Sequence, residues 1–321
     1  MPLNKTKILS CGAYLPKKIL TNDDLSQTVD TSHQWIIERT GISQRHIADD
    51  NEYTSDLGYK AAQEAIEKAN IDTKDIDLII VATTTPDNIF PSTATKIQHK
   101  LNIKHGFAFD VQAVCSGFVY ALDIANKYIK TGSAKNVLVI GAETLSRILD
   151  WKDRNTCVLF GDGAGAVILS KNNDEESDIL DSELHSDGSL YKILNTSGGP
   201  SLTGGTGVIT MQGKDVFKHA VSKMANTVKS LMEKNNLSTS DIKLLIPHQA
   251  NQRILSAVAQ KLAFEEKQIV STVNMHANTS AASIPLALYK ALGDNRLERG
   301  DYIILEALGS GLTWGSILVK W

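Results

Sequence analysis

The chain repeats itself. Residues 66–80 read IEKANIDTKDIDLII and residues 232–246 read MEKNNLSTSDIKLLI. Laid over each other at an offset of 166, eight of fifteen positions are identical: Glu67, Lys68, Asn70, Thr73, Asp75, Ile76, Leu78 and Ile80 match Glu233, Lys234, Asn236, Thr239, Asp241, Ile242, Leu244 and Ile246. Each copy has the pattern of a helix end, a polar turn and a buried strand. The offset persists downstream: CSGFVYAL (115–122) lies on AASIPLAL (281–288), and NVLVIGAET on DYIILEALG with a shift of about one residue. Both halves then close in Gly-rich, hairpin-like runs, GDGAGAVILS and GSGLTWGSILVKW. A long internal period of this kind means two copies of one structural unit. Continuous Val/Ile/Leu strands alternating with helices imply α/β halves whose sheets are covered on both faces. Each half is expected to run β–α–β–α–β–β. The halves, 1–171 and 172–321, should stack about a pseudo-twofold axis. The acidic stretch NNDEESDILDSELHSDGS (172–189) is expected to be a solvated connection between them.

Composition excludes several classes. With 42% hydrophobic and 21% charged residues the chain has the balance of a soluble globular protein. A net charge of −3 argues against nucleic acid as a partner. No apolar run is long enough to span a bilayer, so no membrane association is expected. The opening MPLNKTKILSCGAYLP enters a strand pattern directly, without the apolar core of a signal peptide. Three cysteines, Cys11, Cys115 and Cys157, suit a reducing cytoplasmic setting better than a disulfide framework, and their spacing suits no metal.

Three turns carry candidate chemistry. AFDVQAV has the pattern of a strand and SGFVYALDIANKYIKTG that of a helix closed at Gly132, so Cys115 falls at a helix N-terminus. Unpaired N–H groups and the helix dipole there favour thiolate over thiol. A small buried hydrophobe is the alternative role for such a cysteine. His248 follows the strand of the second repeat, in LLIPHQANQRIL, at the sheet edge where α/β proteins bind ligands. Asn278, in VNMHANTSAASIPLAL, occupies the turn that corresponds to the Cys115 turn. Each alone could be a cap or a surface residue; in stacked halves all three converge on one pocket.

DVQAVCSGFVYAL, IPHQAN and NMHANTSAASIPLAL resemble the three active-site motifs of the β-ketoacyl-acyl-carrier-protein synthase III family. HQWIIERTGISQRH, TTTPDNIFPSTATKIQ, DRNTCVLFGDGAGAVIL and the terminal TWGSILVKW agree, in family order and spacing. The resemblance implies a thiolase-like fold of five layers, αβαβα, and the initiating condensation of fatty acid synthesis. It implies that Cys115 accepts the acyl group of acyl-CoA, with acetyl-CoA the expected primer. Malonyl-acyl carrier protein is then decarboxylated with His248 and Asn278 as donors to the developing oxyanion. A second oxyanion site would use the backbone N–H of Cys115 and of Ser310, where the family usually has glycine. No cofactor beyond the substrate CoA and no metal is implied.

The resemblance also assigns the substrate path. Trp35 and Arg154 match the pair that sandwiches the adenine of CoA; Arg39 and Asn251 match residues near its phosphates and pantetheine. Phe90 matches a residue that closes the acyl pocket of a second protomer in a homodimer, ordinary packing being its alternative. Arg253, Lys218 and Lys261 match the basic dock for the acidic carrier protein, with solvated surface charge the alternative for the lysines. Gln260 stands where a further lysine is often found. The Gly-rich segment NTSGGPSLTGGTG (195–207) is expected to be mobile, as a pocket lid or a mere connection. GDGAGA lacks the GK[ST] ending of a phosphate loop.

Other readings meet particular obstacles, the nearest alternative being the hydroxymethylglutaryl-CoA synthase and chalcone-synthase-like enzymes. A thiolase needs a second reactive cysteine near the C-terminus, and none follows Cys157. Elongating condensing enzymes use a second histidine where Asn278 stands. Hydroxymethylglutaryl-CoA synthase and chalcone-synthase-like enzymes share the Cys-His-Asn layout, usually on longer chains. A papain-like protease would lack its flanking cysteine signature and leave the duplication unexplained. An inactive acyl-binding relative would have no need of all three residues.

Overall fold

Strand and helix periodicities from the two repeats assemble into two sheets that share a helical layer. The computed structural model describes residues 3–172 and 178–321. The first half runs β1 (Lys5–Tyr14), β2 (Lys18–Thr21), α1 (Asn22–Ser26), α2 (His33–Thr40), β3 (Gln44–Ile47), α3 (Thr54–Ala69) and β4 (Leu78–Ala82). It continues through α4 (Thr93–Lys100), β5 (Phe107–Val111), α5 (Gly117–Lys130), β6 (Asn136–Thr144) and β7 (Asp162–Asn172). The second half runs β8 (Ile179–Ser186), β9 (Leu194–Thr196), β10 (Ile209–Met211), α6 (Gly213–Lys234), β11 (Ile242–Pro247) and α7 (Gln252–Leu262). It closes with α8 (Val273–His276), α9 (Ser283–Gly293), β12 (Tyr302–Gly309) and β13 (Thr313–Lys320).

The first sheet has the order β1-β7-β6-β4-β5 and the second β8-β13-β12-β11. In both, the inner crossover pair is parallel (β4–β6 and β11–β12), and β7 and β13 run antiparallel to both of their neighbours; the edge pair β4–β5 of the first sheet is parallel as well. The fifth strand has no full counterpart in the second half, only a single parallel bridge between Leu245 and Ile269. This corrects the expected β–α–β–α–β–β unit. Each half carries three covering helices, and the first half carries an extra edge strand, Phe107–Val111. That strand's short run, exposed at Phe107 and only half-buried thereafter, has a weaker pattern than the central strands.

Layering follows from which face each residue presents. α5 (Phe118, Leu122, Ile129) and α9 (Ile284, Leu288) fill the space between the sheets, against Ile80 and Val139 on one side and Ile246 and Leu305 on the other. α3 and α4 cover the outer face of the first sheet with Leu57, Ala61, Ala65 and Ile97. α6 and α7 cover the second with Met224, Val228, Leu231, Ile254 and Val258. The result is the five-layer αβαβα arrangement. Sheets buried on both faces explain why the central strands read as unbroken apolar runs.

The 166-residue offset is a structural symmetry as well as a sequence one. Asn70 and Asn236 both end their helices in the left-handed region, at φ 52° and 56°. Val114 and Ser280, also 166 apart, both have positive φ, 49° and 48°. The short turns Val114–Ser116 and Ser280–Ala282 then lead into α5 and α9 at equivalent positions. The two turns meet near the pseudo-axis. A side chain at Gly141 would strike the carbonyl of Ala281, so the approach requires glycine there.

A further expectation is corrected. Of the acidic stretch 172–189, residues 173–177 lie outside the described residues, but most of the rest is strand β8, paired along β13. Its acids are not solvated spacers. Asp181 accepts from Lys234 at 2.7 Å and Asn235 at 3.1 Å, and Glu183 from Ser230 at 2.9 Å, on α6 and its C-cap. A helix packed from elsewhere satisfies them, which local composition cannot reveal. The Gly-rich segment 195–207 links β9 to β10 in a hairpin, cross-bridged between Gly199 and Gly205.

Candidate active site

Cys115 sits in the 3-10 turn between β5 and α5, His248 directly after β11, and Asn278 in the turn between α8 and α9. All three open on one cavity of about 690 Å³. They are 5%, 2% and 6% exposed, so the chemistry lies deep within it. Toward the solvent the same cavity is lined by Trp35, Arg39, Arg154, Asn251 and Arg253, with Lys214 among them. Among the described residues no carboxylate lines it, so a chain of net charge −3 presents a cationic entrance to an anionic ligand.

The donors are oriented by their neighbours. Ser283 Oγ lies 2.7 Å from His248 Nδ1 and accepts from the Gln249 N–H at 3.3 Å. The hydroxyl proton is therefore assigned to Nδ1, which leaves Nε2–H as a donor to the cavity. Burial pushes the His248 imidazole down to about 3, so it is neutral across the physiological range. The His248 backbone N–H donates to the Glu306 carbonyl at 2.7 Å, extending the β11–β12 ladder. Gln249, fully buried, donates to the carbonyls of Pro247 and Val270 and accepts from the Thr272 N–H, fastening the loop. Asn278 Oδ1 accepts from the Ser280 N–H at 2.9 Å, so its NH2 group is the end left for a ligand. Two neutral donors thus face one cavity.

The cysteine departs from expectation. Its placement before α5 is as read from the pattern, yet burial raises the thiol to about 12. Removal from water outweighs the helix terminus, and Glu143 adds a further upward push, while Ser280 acts downward. The resting group is a thiol. Gly309 approaches its backbone closely: a Cβ there would sit 2.8 Å from the Cys115 amide nitrogen. Ser310 does not take positive φ; its hydroxyl donates to the Leu194 carbonyl at the hairpin base. Leu194 and Met211, on β9 and β10, line the cavity, so the Gly-rich hairpin is rooted in the pocket wall.

The remaining residues divide. Arg154 and Arg39 lie over the Trp35 ring at 5.1 and 5.6 Å, and Arg154 is tethered to Asp30 at 2.8 and 3.3 Å. Asn251 caps α7, its side chain accepting from the Ile254 N–H at 3.0 Å. Arg253 lines the entrance, whereas Lys218 and Lys261 are exposed outside it. Phe90 does not line this cavity and is 84% exposed, beside Ile89 at 75%. Sequence reasoning missed Gln249, Ser280 and Ser283. All lie inside the quoted motifs, but their roles depend on partners supplied by other elements. Among the described residues no cluster of His, Cys, Asp or Glu could hold a metal ion, and no helix is long and apolar enough to cross a membrane.

Glu306, beside His248 in the sheet, is fully buried and neither carboxylate oxygen has a hydrogen-bond partner among the described residues. Burial raises it from 4.5 to about 8. The folded state therefore holds the proton that the unfolded chain releases, so its contribution is intact below about 4.5 and is lost as pH rises toward about 8. Glu306→Gln cannot ionise. Across that window the wild type should lose stability relative to the variant, by at most about 1.4 kcal/mol per pH unit. Urea unfolding of both proteins at a series of pH values checks this; a constant difference would show that the carboxyl keeps its ordinary affinity for protons.

Comparison with known proteins agrees across the chain. The family model for 3-oxoacyl-[acyl-carrier-protein (ACP)] synthase III matches residues 109–188, and that for its C-terminal part matches residues 232–321. The chain is 56% identical to the β-ketoacyl-[acyl-carrier-protein] synthase III of Rhodospirillum centenum, over 100% of both chains. It is 55% identical to that of Paramagnetospirillum magneticum, over 98% of this chain and 99% of the other. The crystal structure of 3-oxoacyl-[acyl-carrier-protein] synthase III from Aquifex aeolicus superposes with a TM-score of 0.94 at 47% identity, covering 98% of this chain and 100% of that one.

Proposed function

The chain belongs to the β-ketoacyl-acyl-carrier-protein synthase III family, and from that premise we propose that Cys115, His248 and Asn278 carry its reaction. The enzyme condenses an acyl-CoA with malonyl-acyl carrier protein through an acyl-cysteine. The observation that carries the residue assignment is the single cavity onto which thiol, imidazole and carboxamide all open.

Cys115 takes the acyl group, with CoA leaving as the thiol. Covalent capture divides one difficult transfer into two easier ones. The malonyl thioester then occupies the cavity; loss of CO2 puts negative charge on its thioester oxygen. His248 Nε2–H and the Asn278 NH2 group donate to that oxygen, and both are neutral, so neither pairs with the departing carboxylate. The carbanion attacks the acyl-cysteine and releases the β-ketoacyl product. The backbone N–H groups of Cys115 and Ser310 form the oxyanion site of the acyl transfers, a role supported by the close approach of Gly309 to the Cys115 nitrogen.

Trp35, Arg39, Arg154 and Asn251 bind CoA. A base between Trp35 and Arg154 needs roughly 7 Å between the flanking planes, two van der Waals contacts, whereas the guanidinium now lies 5.1 Å from the ring. The pair therefore parts on binding. The exposed Ile89 and Phe90 suit an arm that reaches a second protomer's acyl pocket in a homodimer. Acetyl-CoA is the expected primer and the cytoplasm the expected location; no cofactor takes part beyond the CoA substrate. Arg253, Lys218 and Lys261 dock the carrier protein. Purified protein given acetyl-CoA and malonyl-carrier protein should yield the ketoacyl product and CO2, and dependence on only one substrate would overturn the reading. Raising ionic strength should increase KM for the carrier protein more than KM for acyl-CoA, because docking charges are exposed and screened. Equal salt sensitivity would remove the basic dock.

A further inference from the structure

The two N–H groups of the acyl-transfer oxyanion site come from different halves of the chain. Cys115 lies in the turn before α5, and Ser310 in the turn between β12 and β13. Two donors hold one oxyanion only if the distance between them is fixed beforehand. Among the described residues no backbone hydrogen bond joins these two turns.

Side chains join them instead. The Thr313 hydroxyl, at the start of β13, is 3.1 Å from the Ala113 carbonyl oxygen, 3.1 Å from the Ser310 carbonyl oxygen and 2.8 Å from the Ser116 hydroxyl. The Ser116 hydroxyl, fully buried, is itself 2.7 Å from the Ala113 carbonyl, which also accepts from the Ser116 N–H at 3.1 Å. Two hydroxyl oxygens 2.8 Å apart hold a proton between them, so one donates to the other. That bond crosses between the halves whichever way it points. The hydroxyl that accepts it then donates its own proton to a turn carbonyl.

Backbone packing supplies the second constraint. Gly309 pairs with Thr313 where the hairpin closes. A Cβ on Gly309 would lie 2.7 Å from the Ala113 oxygen, 2.8 Å from the Cys115 nitrogen and 3.0 Å from the Ser116 nitrogen. The hairpin is therefore seated directly on the Cys115 turn. On its other side Leu312 and Asp187 exchange two backbone hydrogen bonds, at 2.8 and 3.0 Å. Val114 stands at φ 49°, a conformation that a β-branched residue does not favour by itself. Contacts from outside impose the shape of this turn, and at the Ala113 carbonyl those contacts come from Ser116 and Thr313.

We propose that the Thr313 hydroxyl, linked through Ser116, sets the spacing of the Cys115 and Ser310 N–H donors. This rests on those two groups forming the oxyanion site and on Cys115 being the nucleophile. Thr313 does not line the cavity, so it is a positioning residue that acts through the two turns. Its effect is confined to acyl transfer. The oxyanion of decarboxylation is held by His248 and Asn278, which are oriented by Ser283 and by the Ser280 N–H.

The two oxyanions can therefore be assayed apart. Thr313→Val keeps the size and branching of the side chain and removes the hydroxyl. Single-turnover acylation by acetyl-CoA should slow on the order of 100-fold, the penalty carried by a displacement of about 1 Å. The acetyl-CoA concentration that gives half the maximal rate should not change, because Trp35, Arg39 and Arg154 keep their places. Release of CO2 from malonyl-carrier protein in the absence of acyl-CoA should keep the wild-type rate. Thr313→Ser retains the hydroxyl and should restore most of the acylation rate. Ser116→Ala should reproduce the split between the two assays, and adding it to Thr313→Val should cost little more, since both break one link. Wild-type acylation in Thr313→Val overturns the proposal. So does an equal loss in Thr313→Val and Thr313→Ser, which would give the role to the methyl group. A parallel fall in acylation and CO2 release, as a general displacement of the site would give, also overturns it. A wild-type protein that takes no acyl group on Cys115 would instead remove the nucleophile itself, and the proposal with it.

Discussion

Cys115→Ala should abolish acyl transfer from acyl-CoA while leaving the fold intact. The side chain is small and already buried, so its truncation removes one sulfur from a wall of the cavity and costs stability on the order of 1 kcal/mol. The chemical loss is far larger. Without the sulfur there is no covalent intermediate, and deleting a covalent nucleophile can cost on the order of 10⁶ in kcat. Cys11 and Cys157 cannot substitute. Both are buried, burial raises Cys157 to about 11, and neither lines the cavity. Incubation with labelled acyl-CoA and intact-mass measurement should show one acyl group on the wild type and none on the variant. Stoichiometric labelling of Cys115→Ala would place the nucleophile elsewhere. The oxyanion donors are separate groups, so the variant should still release CO2 slowly from malonyl-carrier protein.

His248→Ala and Asn278→Ala should show the reverse pattern: acylation retained, condensation lost. Each side chain offers one preorganised N–H to the charge that develops as CO2 departs. Removing one such donor typically costs about 2.7–4 kcal/mol, or 10²–10³ in rate. The His248 donor is fixed by Ser283, and the Asn278 donor by the Ser280 N–H, so neither has to reorganise during the reaction. Because both serve one oxyanion, the double variant should fall short of the product of the single losses. Since His248 is held neutral far below its ordinary range, the decarboxylation rate should show no histidine titration between about pH 5 and 8. Burst acylation and CO2 release, measured separately, check these expectations. A variant that decarboxylates at the wild-type rate would strip that residue of its role.

Much of this was legible before any coordinates. The 166-residue repeat implied two α/β halves, and Asn70 and Asn236 do end equivalent helices in the same left-handed conformation. Cys115, His248 and Asn278 could be named because strand-to-helix turns are marked by local periodicity, and the motifs around them resemble those of one family. Strand β8 could not be read, because Asp181 and Glu183 look like solvated acids until α6 and its C-cap supply Lys234, Ser230 and Asn235. The edge strand β5 was legible in the run AFDVQAV, but that the second half has no full counterpart to it was not. The Gly-rich hairpin was invisible as structure because its pairing holds between residues that have no apolar alternation.

The order of the residues therefore determined the duplicated architecture and the identity of the reacting groups, since both are written in short-range patterns and in the repeat. Packing alone decided their electrical state. Cys115 rests as a thiol near 12 and His248 as a neutral base near 3 because burial in the folded chain excludes water from them. Desolvation depends on everything that surrounds a group in space, and no window along the polymer contains that information.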